Sequence, residues 1–300
     1  MTTTPERRAA LLVAVAACGF GSLAIGTTFA TRAGVALTAL MAWRYALAAP
    51  LVIVAAGGPR RMRAAPMRVL ALVVGGGIGQ SLVTWLSLSA LEWLTAASLG
   101  FLFYTYPAWV ALFAALAGLE RLTRTRIAAL LLALVGITLM VGSPWSAAMP
   151  LPGVLRALGA AVIYALYIPL LHWLRGPLSA SVASAYVIAG AATVFLVTAG
   201  TGGTLFAGMT AAMWAIALVL ALFSTGVAFV AFLRGLEVLG PVRTAIVSTL
   251  EPFWTALLGA LLLAQPVGAT TITGGACIMI AILMLQRSSR PVLPAAPPPD

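Results

Sequence analysis

Among the ionisable side chains of this 300-residue sequence, Arg44, His172 and Glu251 stand out for their place in apolar stretches. Glu251 lies about nine residues into its stretch, hence about 13 Å deep at the rise of an α-helix. A carboxylate at that depth in lipid is costly unless it is protonated, paired or wetted. It can carry a coupling proton or hold a solute's amine; the plainer alternative is a structural hydrogen bond to a neighbouring helix. Arg44 is the one Arg well inside a stretch. It either pairs with Glu251, snorkels to a surface or serves orientation and structural pairing. His172, near Arg175, is by type either a proton relay or a hydrogen-bonded interface residue.

Pro107, Pro169 and Pro252 interrupt stretches of the same kind. Each removes a backbone donor and displaces the carbonyl four residues back, those of Phe103, Ala165 and Ser248. In lipid such a carbonyl must face protein, water or solute. A simple kink is the alternative.

Polar and aromatic residues recur at helical spacing. Gln80, Thr84 and Ser87 share one face, as do Leu99, Phe103 and Tyr106, and Tyr164 and Tyr167; Ser224 and Thr225 sit midway along a later stretch. A cavity lined by these groups, with Ser248, is largely apolar with a few amides and hydroxyls. It suits a neutral or zwitterionic solute with an apolar or aromatic side chain. Tyr45, Trp93, Trp145 and Trp173 read as residues of the interfacial aromatic belt.

The elements that must position these groups are membrane helices. The chain is 62% apolar and 8% charged, with mean hydropathy +1.10, far from any soluble globular composition. A helix needs about 20 apolar residues to cross the hydrocarbon core. Stretches of that kind run over Ala9–Ala30, Ala33–Ala56, Val69–Leu91, Leu94–Leu119, Ile127–Val141, Gly153–Leu174, Ala180–Ala199, Ala211–Leu233, Arg243–Ala264 and Gly268–Gln286. They lack the alternation of barrel strands. The expectation is an all-α membrane protein of ten transmembrane helices.

The net charge of +11 comes from Arg alone and does not call for a nucleic-acid partner. With a cytoplasmic N-terminus, Arg7, Arg8, Arg60, Arg61, Arg63, Arg68, Arg121, Arg124, Arg126, Arg175, Arg234, Arg243, Arg287 and Arg290 fall inside, and Arg32 and Arg156 outside. That asymmetry fits the positive-inside rule with both termini cytoplasmic. The expected location is the bacterial inner membrane, as a multi-pass protein. The run after Arg7-Arg8 is long and lacks a clear cleavage site, so it reads as a retained helix.

Residues 91–140 and 236–285 align at one offset of 145. Leu91-Glu92 falls on Leu236-Glu237, Pro107 on Pro252, Trp109 on Trp254 and Ile137 on Ile282. Five helices per half is odd, so the halves must be inverted. Arg121, Arg124 and Arg126 correspond to the uncharged Pro266, Ala269 and Thr271. The domains expected are 1–145 and 146–286, two inverted five-helix repeats, then a disordered, Pro-rich cytoplasmic tail at 287–300. Gly75-Gly76-Gly77 and Gly79 offer close helix packing, with Gly75 and Gly79 at GxxxG spacing, or a sliding surface.

Ala90–Met140 and Gly235–Leu285 resemble the two halves of the drug/metabolite transporter superfamily, EamA type. The resemblance rests on Pro107 with Gly118-Leu119-Glu120, on Glu251-Pro252 with Leu263-Ala264-Gln265, and on Trp43-Arg44-Tyr45. Gln265 departs from the Glu usual there; Glu120 keeps the carboxylate in the first half. The resemblance implies secondary transport by alternating access. Chain length and aromatic-rich helices look most like the YddG-type aromatic amino-acid exporters.

The expected function is export of small metabolites, foremost neutral or aromatic amino acids, with a lipophilic-cation or other metabolite carrier as the alternative. A membrane-embedded enzyme fits poorly, for the sequence has no Cys/His/Asp cluster and no Asp before Asp300. No cofactor or metal is expected, and Cys18 and Cys277 read as packing residues. Without a phosphate-binding GxxxxGK[ST] loop, ATP-driven pumping by this chain is excluded. The absence of Lys disfavours sugar phosphates. The partners are a small amino acid-like solute and the lipid bilayer, and inverted repeats make a monomer sufficient.

Overall fold

Apolar runs with few breakers become helices here, and Gly, Pro and hydroxyl caps decide where they stop. The fold is described from a computed structural model over residues 4–94, 96–106, 109–110, 113, 116–117, 123–141, 150–263 and 269–287. Pro107, Glu120, Arg121, Trp145, Gln265, Pro266 and Arg290 lie outside these residues. Every regular element among them is helical.

In chain order the elements are α1 (Thr4–Arg32), α2 (Leu37–Ala55), α3 (Pro66–Glu92), α4 (Ala96–Phe103), α5 (Arg124–Val141), α6 (Leu151–Arg175), α7 (Ala180–Thr201), α8 (Ala211–Val247), α9 (Leu250–Leu263) and α10 (Ala269–Arg287). Ser179 and Thr210 cap α7 and α8, their hydroxyls accepting from the backbone N–H of Val182 and Met213. Proline opens α3 and lies in the first turn of α6, where its missing N–H is harmless.

Among the described residues, α1, α2, α3, α6, α7 and α8 are the six stretches long and apolar enough to cross a membrane. One of the expected spans, Arg243–Ala264, is broken by its own backbone. Gly240 (φ 74, ψ 169) interrupts α8, and a new helical turn starts at Pro241. That turn breaks at Ser248–Thr249, and α9 starts afresh at Leu250. The stretch expected as one helix over Arg243–Ala264 is thus two pieces around a bend. The first half has a matching break at Tyr104–Thr105, just after α4.

A second device also occurs once in each half. α3 is π-helical over Ala71–Gly76 and α8 over Leu220–Val227. Such bulges widen a helix and shift which face its later residues present.

Packing joins α2 to α7, α5 to α10, α3 and α4 to α6, and α8 and α9 to α1. The approach of α3 to α7 is through backbone: a Cβ on Gly77 would lie 2.6 Å from the Cα of Gly190. The glycine run therefore packs helices, but not through the Gly75–Gly79 pair. Gly75 is uncrowded, Gly76 meets Val187, and Gly79 lies under the Tyr167 ring. Small residues give such interfaces their van der Waals contact in lipid, where no hydrophobic force drives helices together.

Polar contacts gather at the two ends of the bundle. At one end Arg243 pairs with Glu6 at 3.2 Å, Arg175 with Glu237 at 3.1 Å, Arg234 donates to Ser181, and the Tyr186 hydroxyl donates to the Met62 carbonyl. At the other end Thr38 meets Thr204, the Trp43 indole donates to the Leu205 carbonyl, and Arg156 lies 3.7 Å from Glu92 and over the Trp93 ring. Each group joins segments that the Arg pattern assigns to one side.

Candidate functional site

α1, α3, α4, α6, α8 and α9 enclose a cavity of about 770 Å³. α1 contributes Phe20, Leu23, Thr28, Thr31 and Arg32. α3 gives Gln80, Val83, Thr84, Ser87 and Leu88. Leu99, Phe103 and Tyr104 come from α4 and the break after it; Tyr164, Tyr167 and Leu171 come from α6. Phe229 and Phe232 come from α8, and Glu251, Pro252, Thr255 and Leu263 from α9. The wall includes Arg32, Leu94 and Leu263, which belong to the end carrying Glu92 and Arg156. The lining contains none of the paired residues at the Glu6–Arg243 end. The cavity therefore reaches the Glu92–Arg156 end and stops short of the Glu6–Arg243 end.

Gly21 lies at the level of Glu251, for a Cβ there would sit 2.8 Å from the Glu251 carbonyl. The Thr255 hydroxyl donates to the Gly21 carbonyl, and the Trp254 indole to Ser22, which locks α9 onto α1. Arg32 is eleven residues further along α1, about 16 Å nearer the mouth. Glu251 is thus the one carboxylate in the deep wall, which holds no Arg or His, among the described residues. The Tyr104 phenol is a near neighbour of its carboxylate.

Of the residues expected in a cavity, Gln80, Thr84, Ser87, Leu99, Phe103, Tyr164 and Tyr167 line it. Tyr106, Ser224 and Ser248 are buried but set back from the wall. Tyr106 packs on Phe103 and Tyr164 and donates to the Ala245 carbonyl. Ser224 sits in the π-helical segment of α8, where Gly19 of α1 closes on it. Ser248 is at the break before α9, and its carbonyl is not left for a solute: the backbone N–H of Glu251 takes it at 3.0 Å. Pro252 removes one donor and the bent chain supplies another. Pro169 lies inside α6, which continues through it to Arg175. Pro107 falls outside the described residues.

Arg44 and His172 both lie away from the cavity wall. No ion pair joins Arg44 to Glu251, and Arg44 does not snorkel. It is 2% exposed, its guanidinium lies 4.2 Å from the Tyr45 ring centroid, and its Nε has no partner. His172 lies in the last turn of α6, off the cavity wall, with Nδ1 unpartnered. Tyr45 is not a belt residue. It is 1% exposed, stacks on Phe195 and bonds to Thr84 at 3.1 Å.

The sequence reading also missed Tyr104, Thr255, Phe20, Phe229 and Phe232. Thr255 carried a usable signal, four residues after Glu251 and so on its face. Tyr104 carried none, because its direction depends on the break it lies in.

Two comparisons with known proteins locate this architecture. The profile of the EamA-like transporter family matches twice, over residues 7–142 and 151–287. A solved structure titled only "Crystal structure of protein" superposes with TM-score 0.78 at 20% identity, covering 92% of this chain and 97% of its own; that likeness concerns the fold alone. No curated protein matches the chain. With both halves matched by one profile, the chain belongs to the EamA-like transporter family.

Proposed function

We propose that this membrane transporter exports small metabolites, foremost neutral and aromatic amino acids, by alternating access between two inverted five-helix halves, 1–145 and 146–286. The bacterial inner membrane, with both termini cytoplasmic, is the setting that the Arg distribution supports. The observation that carries the reading is one carboxylate, Glu251, in a deep wall otherwise made of aromatic rings, aliphatic groups, hydroxyls and one amide. An ammonium group pairs with Glu251, and a flat apolar side chain packs among Phe20, Phe103, Tyr164 and Phe232. The doubled family match and the paired breaks and bulges support the two-half reading.

Counterflow tests it. Proteoliposomes loaded with unlabelled amino acids and given trace label, without any ion gradient, are expected to accumulate aromatic and neutral amino acids selectively. No exchange with any amino acid would sink this reading. A second reading, a carrier of lipophilic organic cations, is favoured by the absence of a cation in the deep wall among the described residues. Strong exchange of such cations with indifference to amino acids would establish it.

The Glu6–Arg243 end predicts a gating effect. Glu6 and Arg243 are 21% and 16% exposed, so their pair joins α1 to α8 in partial shelter from water. Arg243→Gln is expected to remove about 1 kcal/mol of closure at that end, about a fivefold change in the ratio of the two states. The readout is maleimide labelling from the Glu92–Arg156 side of Leu88→Cys, in a Cys18→Ala, Cys277→Ala background. Labelling should slow. An unchanged rate would take the pair out of the gate.

A further inference from the structure

Most hydroxyls in the cavity wall have already given their proton to backbone. Thr28 donates to Ala24, Thr31 to Thr27, Ser87 to Val83, Tyr167 to Gly76 and Thr255 to Gly21. They face a solute mainly with lone pairs. This is how hydroxyls are kept satisfied in a membrane interior. Such a wall suits an ammonium group but gives a carboxylate little to bind.

One patch of wall differs. The Gln80 amide donates to the Tyr45 phenol at 3.0 Å and to Thr84 Oγ1 at 3.2 Å, and those two hydroxyls are 3.1 Å apart. This ring has three contacts and four protons: two N–H from Gln80 and one O–H each from Tyr45 and Thr84. One hydroxyl proton is left over, and Thr84 faces the cavity. Behind the ring, on the face of the Tyr45 aromatic, lies the Arg44 guanidinium. A cation on the π-face draws electron density from the phenol and makes its O–H the stronger donor; the next hydroxyl in the chain gains in turn. Arg44 is a buried charge with no carboxylate partner among the described residues and an unpartnered Nε. Such a group in a membrane calls for negative charge nearby.

We propose that Arg44 and Tyr45 are positioning residues that make the Gln80–Thr84 wall the carboxylate-binding side of the cavity. The solute is then a zwitterion: its ammonium at Glu251, its carboxylate on the Thr84 hydroxyl, with Tyr164 in the wall beside them. Arg44 acts through Tyr45 and never touches the solute. The inference rests on the amino-acid reading above and names the second half of its recognition site.

The test compares phenylalanine with phenylethylamine, the same molecule without its carboxylate, in counterflow. The wild type is expected to prefer phenylalanine. Tyr45→Phe keeps the ring that Arg44 and Phe195 stack on and removes only the hydroxyl. It is expected to lower phenylalanine exchange about tenfold, equivalent to about 1.4 kcal/mol, with phenylethylamine exchange changed less than twofold. Thr84→Val should do the same. Arg44→Gln should shift the ratio in the same direction if it folds, and the other two variants decide the matter if it does not. A parallel fall for both solutes would reduce Tyr45 to a structural residue and overturn the proposal, as would no fall at all. A wild type that prefers phenylethylamine would overturn it in favour of the cation reading. Exchange of neither solute would sink the amino-acid reading itself.

Discussion

Glu251→Gln is expected to cut phenylalanine counterflow by about a hundredfold or more, the largest effect of any single substitution in the cavity. Removing one partner of a buried charge pair leaves the other uncompensated, which costs about 3–5 kcal/mol. Each 1.4 kcal/mol is about a factor of ten. Water in the cavity screens part of this, which leaves about two decades. The fold should survive. Gln fills the same volume, and the bond from Thr255 and the bond to Ser248 use the backbone of residue 251, not its side chain. Thermal unfolding of the detergent-purified variant within a few degrees of wild type is the control.

Three outcomes are distinct. Lost counterflow with retained stability places Glu251 on the solute. Retained counterflow with loss of accumulation driven by a pH gradient makes it a coupling group that does not bind solute. Retention of both would reduce it to a scaffold residue that holds Tyr104 in place.

The second large effect concerns assembly. Gly190→Ala places a methyl group against the Val73 carbonyl and 2.9 Å from the Gly77 Cα. Both obstacles are backbone, so no side chain can rotate out of the way. The helices α3 and α7 must separate, and the contacts along them are lost together. Overpacking of this kind costs on the order of 1–3 kcal/mol where the neighbours can adjust, and more here. The expected result is a sharp fall in monodisperse yield and melting temperature, with Gly77→Ala behaving alike. Gly159→Ala is the matched control, since a Cβ there meets nothing within 4 Å. A helix gains about 0.5–1 kcal/mol from that exchange. Equal behaviour of the two variants would mean that the α3–α7 contact does not limit stability.

The effect would also reach the cavity. α3 carries Gln80 and Thr84 only a few residues beyond Gly77, and Tyr45 reaches them from α2, which packs on α7. Moving α3 away from α7 pulls the hydrogen-bonded ring apart. Loss of phenylalanine exchange in whatever folded Gly77→Ala protein remains is therefore expected alongside the loss of stability.

Much of the candidate site was legible one helix at a time. The spacing of Gln80, Thr84 and Ser87 put them on one face, and a polar face in lipid has to turn inward. The same reasoning placed Leu99 with Phe103 and Tyr164 with Tyr167, and the depth of Glu251 marked it out. Periodicity failed where the helix did. Tyr104 lies in a break and Tyr106 just after it, so their directions do not follow the 3.6-residue repeat: Tyr104 lies near Glu251 and Tyr106 turns to Ala245. Ser248 looked like the owner of a free carbonyl because Pro252 follows four residues later, but the bend gives that carbonyl to Glu251.

What the sequence determined by itself is whatever water and lipid impose on a single segment. Long apolar runs must be helices, because lipid offers no partner for backbone groups. Arg residues gather on one side, hydroxyls turn to backbone or protein, and a duplicated Pro–Trp pattern marks two related halves. What only the tertiary structure decided is which face meets which. The opposite charges of Arg44 and Glu251 made them natural partners, yet Arg44 lies behind Tyr45 and the carboxylate faces the cavity. Tyr45 has the composition of a belt residue and the position of a core one. The rotation and approach of neighbouring helices set those outcomes, through contacts as local as Gly77 on Gly190 and as distant in sequence as Gly21 on Glu251. No single helix's pattern encodes them, because close packing in lipid depends on the shapes of both surfaces at once.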